Sequence, residues 1–264
     1  MYDLNSISSY LSTNIIGQSI IQYDNLDSTY AKAKNIFASC PDGTVVLSEN
    51  QSECILRFGN EWLCMPDKNI YLSIILKSVN NNYLLPLTDM VGCSSILGSI
   101  EDLYDLNCTI RWPNDILIND NKISSVKSDI TGKGSGIILS LNINVNMEEK
   151  LENLKTTSIR LEKGEDVERE LLIGTILNKI DYHYDEILST GKASSAVDIY
   201  NKHLLYYNKE VGVIKKGRKT VRKVFVKNID SEGWLLATNE KGEEEILSPG
   251  EIIIQYEETK NRQP

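Results

Sequence analysis

Apolar residues follow two different spacings along this chain, one typical of buried strands and the other of amphipathic helices. Compact runs rich in β-branched residues predict buried strands at residues 44–48 and 70–76, and a longer strand at 136–145. Apolar positions at helical spacing predict helices at 89–104 and 171–188. The first part of the chain therefore combines long helices with buried strands.

Two further segments carry local signals. Residues 28–37 begin with Ser28 and Thr29, both good helix N-caps, and predict a short helix. Apolar runs on either side of Asn119-Asp120-Asn121 predict a hairpin, because asparagine and aspartate favour tight turns.

The pattern changes after about residue 209. Short β-rich runs alternate there with glycine, aspartate and asparagine turns, without a helical stretch. We therefore predict a large domain over residues 1–206, a small antiparallel barrel over 207–257 and a polar tail over 258–264.

Composition narrows the function classes. The 264 residues carry a net charge of -9, so the overall field would repel nucleic acid. Five cysteines show no CxxC spacing, which disfavours a metal site and predicts reduced thiols. The first residues lack a basic, then apolar, signal-peptide pattern, and no run could span a bilayer. We expect a cytoplasmic protein that contacts neither DNA nor membrane.

Seven short motifs occur in order over about 230 residues. They are Asp27-Ser28-Thr29, Glu49-Asn50-Gln51, Arg111-Trp112-Pro113-Asn114-Asp115, Lys122-Ile123-Ser124-Ser125, Asn142-Ile143-Asn144-Val145-Asn146, Thr157-Ser158-Ile159 and Ser248-Pro249-Gly250-Glu251. Together they resemble the motifs of the biotin protein ligases, and the third is the most specific of the set. The family's DNA-binding winged helix has no counterpart in this sequence.

The resemblance implies a fold and a reaction. The fold would be α+β, with a mixed sheet and flanking helices like those of the class II synthetases, followed by a small SH3-like β-barrel. ATP, with Mg²⁺, would activate biotin as biotinyl-adenylate, and a lysine of an acidic carrier domain would then take the biotin. A homodimer or heterodimer is compatible with this resemblance.

The resemblance also implies residue roles. Lys122 and Arg57 would act in catalysis and contact the acid, whose head group would be held by Ser28, Thr29 and Gln51. The nucleotide would be held by Lys122 together with Trp62, Arg111, Asn114 and Asn144. Asp115 would hold Mg²⁺. Simpler interpretations remain open: Ser28 as a helix cap, Lys122 as a solvated hairpin lysine, Trp62 as a core residue and Asp115 as a turn residue.

Several positions depart from the family pattern. Cys54, Ile55 and Leu56 replace two glycines and an arginine of the family's substrate loop. Lys127 replaces an apolar residue, and three further positions replace pocket glycines with larger side chains: Ser125, Ser140 and Asn142. These changes predict that the binding of biotin is weakened far more than the binding of ATP.

Three functions therefore remain open: a biotin ligase, a ligase for a different acid, and a relative without catalysis that serves as a binding or regulatory partner. The C-terminal segment adds a cluster of cations that could be a solvated hairpin face or a docking patch for an acidic carrier domain. Its members are Lys215, Lys216, Arg218, Lys219, Arg222, Lys223 and Lys227.

Overall fold

A seven-stranded mixed sheet forms the centre of the molecule. The computed structural model describes residues 1–53, 64–78, 84–131, 134–150 and 154–256. Its strands are β1 Ile20–Leu26, β2 Val45–Gln51, β3 Ile70–Leu76, β4 Thr109–Arg111, β5 Asp115–Ile118, β6 Asn121–Thr131 and β7 Gly136–Ile143. They are ordered β1-β2-β3-β7-β6-β5-β4, and all neighbours are antiparallel except β1 and β2.

In the part of the chain that the structure describes, six helices flank this sheet and the small sheet that follows it. They are α1 Leu4–Tyr10, α2 Thr29–Ile36, α3 Leu85–Tyr104, α4 Ile159–Lys163, α5 Arg169–Thr190 and α6 Ser194–His203. Helix α3 is apolar on nearly every side because it packs between β6 and β7 on one face and α5 and α6 on the other. Within the described residues, no helix is long and apolar enough to cross a membrane.

The C-terminal segment folds as a five-stranded antiparallel sheet. Its strands are β8 Glu210–Lys215, β9 Val221–Ile229, β10 Leu235–Asn239, β11 Glu244–Leu247 and β12 Ile252–Gln255, in the order β11-β10-β9-β8-β12. Its buried valines and leucines join the same hydrophobic core as the large sheet and helices α3, α5 and α6. The predicted fold class is confirmed, whereas the division at residue 206 stays a prediction.

The thiols agree only in part with the expectation of reduced cysteines. Cys40, Cys93 and Cys108 are free, and burial, followed by the charge of Glu101, raises the pKa of Cys108 to about 12. Cys64 is disulfide-bonded, contrary to that expectation.

Candidate functional site

The first turn of α2 and the end of β2 meet above the centre of the large sheet. Ser28 caps α2 by accepting a hydrogen bond from the Ala31 backbone at 3.4 Å. The buried Thr29 donates its backbone N–H to Gln51 Oε1 at 2.6 Å, and its hydroxyl accepts from Ser73 Oγ at 2.9 Å. Gln51 in turn donates to Asn142 Oδ1 at 3.3 Å. Ser28, Thr29 and Gln51, predicted to hold the acid, therefore lie together, and the cap interpretation of Ser28 is also correct.

A β-bulge directs Lys122 into the same region. The register of β5 and β6 shifts so that Leu117 pairs with Lys122 while Ile116 pairs with Ser124, leaving Ile123 as the extra residue. Cross-strand partners share a face, so Lys122 joins Ser125 on the face of Asp115. A bulge commonly re-aims a side chain beside a functional site.

Three charged side chains form a compact cluster at this point. Lys122 Nζ lies 2.6 Å from Asp115 Oδ1, and Arg111 Nη2 lies 2.8 Å from Asp115 Oδ2. Ser125 Oγ donates to Asp115 Oδ1 at 3.1 Å. Burial lowers the pKa of Lys122 and Asp115 opposes that shift; the side chain is only 13% exposed. The expectation of a solvated hairpin lysine is therefore wrong.

The two asparagines predicted to contact the nucleotide are buried and already hydrogen-bonded. The side-chain amide of Asn114 donates to the backbone carbonyl of Val126, and the backbone N–H of Val126 donates to the backbone carbonyl of Asn114. Asn144 donates to Thr157 O and accepts from Asn69 Nδ2, both at 3.1 Å. Both side chains hold the loops at the edge of the cluster, and their contact with a nucleotide stays a prediction. Arg57 and Trp62 lie outside the described residues.

A cavity of about 280 Å³ opens between α2, the end of β2 and strands β6 and β7. Its lining comprises Ser28, Thr29, Tyr30, Ala31, Gln51, Glu53, Ser125, Lys127, Ser140 and Asn142. Four of the positions that depart from the family pattern, Ser125, Lys127, Ser140 and Asn142, lie in this wall, whereas Cys54, Ile55 and Leu56 lie outside the described residues. Since Ser125 also bonds to Asp115, the cavity adjoins the charged cluster directly.

Some residues of this site were not predicted from the sequence. Tyr30 and Glu53 line the cavity, and Ser73 lies beneath it, bonded to Ser140 Oγ at 2.9 Å. Tyr30 could have been expected, because it follows Thr29 in the same helical turn. Ser73 becomes evident only from the pairing of β3 with β7.

The residues described do not build a metal site of their own. Within them, no group of three or more histidine, cysteine, aspartate or glutamate side chains could hold a metal ion. Both oxygens of Asp115 pair with cationic donors, Lys122 and Arg111, so this carboxylate would have to exchange a partner in order to hold Mg²⁺. The Mg²⁺ role of Asp115 stays a sequence-based prediction.

The C-terminal cations are largely compensated. Lys215, Arg222, Lys223 and Lys227 each pair with a glutamate of the same sheet, Lys223 with Glu210 at 2.7 Å. Such pairing favours the solvated hairpin face over a docking patch.

Comparison with known proteins shows which proteins this chain is similar to. Residues 21–146 match the model of the biotin/lipoate A/B protein ligase family. The chain is 26% identical over 251 residues to the bifunctional ligase/repressor BirA of Bacillus subtilis, covering 90% of this chain and 75% of that one. It is 22% identical over 247 residues to biotin–protein ligase 2 of Arabidopsis thaliana, covering 89% and 74%.

Solved structures show the same fold. The biotin protein ligase from Aquifex aeolicus in complex with biotin and ATP superposes with a TM-score of 0.79 at 21% identity. That match covers 91% of this chain and all of the other.

Proposed function

Because this chain is a relative of the biotin protein ligases, we propose that it is an ATP-dependent ligase that joins a small carboxylic acid to a protein lysine. Biotin is the first acid to consider, because the relatives are named for it. The observation that carries the proposal is the contact between the polar cavity and the charged cluster, made by Ser125 and Asp115.

The two steps need positioning and positive charge rather than a protein nucleophile. In the first, a carboxylate oxygen of the acid bonds to the α-phosphorus of ATP, and the bond to pyrophosphate breaks. In the second, the amine of an acceptor lysine attacks the acyl carbon of the mixed anhydride, AMP leaves, and the amine loses a proton. Lys122 and Arg111 are the cations placed to hold the acid and phosphate oxygens.

The charged cluster must rearrange for this role. Lys122 and Arg111 neutralise Asp115 in the structure, and the phosphates of ATP would compete with that carboxylate for both cations. Mg²⁺ would enter bound to those phosphates, as it does at many nucleotide sites. The acceptor would be a carrier domain that presents its lysine at the mouth of the cavity.

A second candidate is a non-catalytic relative that acts as a binding or regulatory partner, for example by pairing with an active ligase in a dimer. Its support is the set of side chains at positions that are glycine in the family, Ser125, Ser140 and Asn142, which reduce the space for a bulky acid.

Mass spectrometry distinguishes the two. The purified chain is incubated with ATP, Mg²⁺ and biotin, and the products are searched for acyl-adenylate and pyrophosphate, with Lys122→Ala as the matched inactive control. A ligase gives both products. Their absence, with biotin and with other carboxylic acids, would leave the non-catalytic role.

A further inference from the structure

Four polar residues cover one stretch of the sheet beneath the cavity. Ser125 pairs with Asn142 and Lys127 pairs with Ser140 across β6 and β7, so all four side chains share one face. All four line the cavity. We call this set the polar patch. Ser125, Ser140 and Asn142 already bond to protein groups, so a hydrophobic acyl chain lying here would mainly cover the Lys127 ammonium without pairing its charge, which is unfavourable.

Lys127 is the cation of the polar patch, and it forms only a long ion pair with Asp129. Its Nζ lies 4.0 Å from Asp129 Oδ2, at the outer limit of an ion pair. That same oxygen accepts a hydrogen bond from the Tyr30 hydroxyl at 3.0 Å. Lys127 Nζ also lies 5.2 Å from the centre of the Tyr30 ring. The ammonium is therefore held against the cavity wall and keeps capacity for a further acceptor.

The cavity has two cationic ends. Ser125 bonds to Asp115 and so marks the end near Lys122, where the reacting carboxylate would lie. Lys127 is two residues further along the same strand face, a step of about 7 Å. Glu53, the carboxylate in the lining, is exposed, so water screens its charge.

We propose that the acid bound by this cavity is bifunctional, with a second anionic group that Lys127 holds. This inference rests on the proposed function and specifies its substrate class: one carboxylate is activated near Lys122, while the other stays ionised beside Lys127. Lys127 is then a specificity-determining residue. The charge of the second group complements the ammonium, whereas an uncharged apolar tail leaves it unpaired.

The test compares acids that differ only in the second charge. Calorimetric titration of the full chain, without ATP, measures binding of suberate and of octanoate, which have the same number of carbons. Adipate with hexanoate, and azelate with nonanoate, cover neighbouring lengths. We expect at least one diacid to bind about 10-fold more tightly than its monoacid, as one charge-assisted hydrogen bond would provide.

Variants assign the preference to its residue. Lys127→Leu should remove the preference for the diacid, and Lys127→Arg should retain most of it. Lys34→Leu is the matched control, because Lys34 lies 5.8 Å from the same Tyr30 ring but does not line the cavity. Lys34→Leu should show the same preference for the diacid as the unmodified chain. Thermal unfolding of each variant verifies that it is folded.

The outcomes separate this inference from the ligase proposal. If every monoacid binds as tightly as its diacid, or no acid binds, the inference is overturned, even if biotin is adenylated. The same holds if Lys127→Leu keeps the preference. If the diacid preference depends on Lys127 but no acid yields pyrophosphate with ATP, the binding inference stands and the ligase proposal fails.

Discussion

The charge balance around Asp115 determines what Lys122 can do. A mostly buried ammonium has lost part of its hydration, which lowers its pKa, and Asp115 compensates for only part of that loss. Lys122 would therefore gain a stronger partner when an acid and a phosphate enter the cavity. Asp115 would keep its hydrogen bond from Ser125, so the carboxylate is not left without a donor.

Removing the Lys122 ammonium should abolish activity at a modest cost in stability. For Lys122→Ala we expect pyrophosphate release to fall at least 10²-fold, as for other losses of preorganised charge. The free energy of unfolding should fall by about 1–2 kcal/mol, because Asp115 keeps Arg111 as a partner. Pyrophosphate assays and urea titration measure the two effects.

A surface lysine provides the control for that change. Lys192 is exposed beyond the end of α5, so Lys192→Ala should change neither quantity. If Lys122→Ala released pyrophosphate at the rate of the parent chain, Lys122 would have no role in the reaction.

Residue types and motif spacing predict many of the residues of this site, but not the hydrogen bonds and ion pairs that they form. The motifs correctly indicated that Ser28, Thr29 and Gln51 lie together and that the Ser125 and Asn142 positions line a pocket. The burial of Lys122 was not predicted. It depends on a bulge at Ile123, which requires the pairing of β5 with β6 and is not visible in a single strand.

At the scale of elements, helices α5 and α6 meet around a buried histidine. His183 is 3% exposed, and its Nδ1 lies 2.8 Å from Ser195 Oγ. Burial lowers its pKa from 6.5 to about 4, Glu186 opposes the shift and Lys179 reinforces it. Between these pH values the unfolded chain binds a proton that the folded chain does not. This contribution to stability is therefore complete above about pH 6.5 and is lost as the pH falls towards 4.

A non-titrating substitution isolates that contribution from the carboxylates that titrate in the same range. Relative to His183→Gln, the parent chain should lose about 3 kcal/mol of unfolding free energy between pH 7 and pH 4. Urea titrations of both chains across this range give the difference. A difference that does not change with pH would show that His183 is protonated in the fold.

Helix α3 depends on close approach to the sheet that carries the site. A Cβ at Gly92 would lie 2.7 Å from Val126 Cγ1, whereas one at Gly98 would make only an ordinary contact, 3.5 Å from Lys179. We expect Gly98→Ala to stabilise the chain by about 0.5–1 kcal/mol through helix propensity. Gly92→Ala should destabilise it by about 1–2 kcal/mol through overpacking, measured by thermal unfolding. Equal effects of the two substitutions would contradict this packing.

The period of apolar residues predicts the long elements well. Residues 70–76 were predicted as a strand and form β3, and the prediction of a helix over 171–188 falls within α5. Helices α1, α4 and α6 and strand β1 were missed. Strand β1 is an edge strand with no fully buried residue, so its pattern lacks an apolar stripe, and α1 is only two turns long.

At the scale of the whole molecule, the C-terminal sheet is joined to the large one by packing and by specific hydrogen bonds. Asn201 on α6 donates to Ile229 O at 2.9 Å and accepts from Ile229 N at 2.6 Å, at the end of β9. Gly233 lies against Pro86 so closely that a Cβ there would approach Pro86 Cβ to 2.8 Å. Because both sheets also share one hydrophobic core, we expect them to unfold together.

The two bonds of Asn201 test that expectation. In Asn201→Ala the partly buried N–H of Ile229 loses its partner, while its C=O keeps the hydrogen bond from the Asn228 amide, and the change should cost about 1–2 kcal/mol. If the sheets form one cooperative unit, the whole transition moves to lower temperature and stays single in calorimetry. Lys202→Ala, at an exposed position on the same helix, should leave the melting temperature unchanged. A second transition in Asn201→Ala would instead mean that the C-terminal sheet is an independent domain, as the boundary at residue 206 predicts, and that its contact with α6 adds little to the stability of the large sheet.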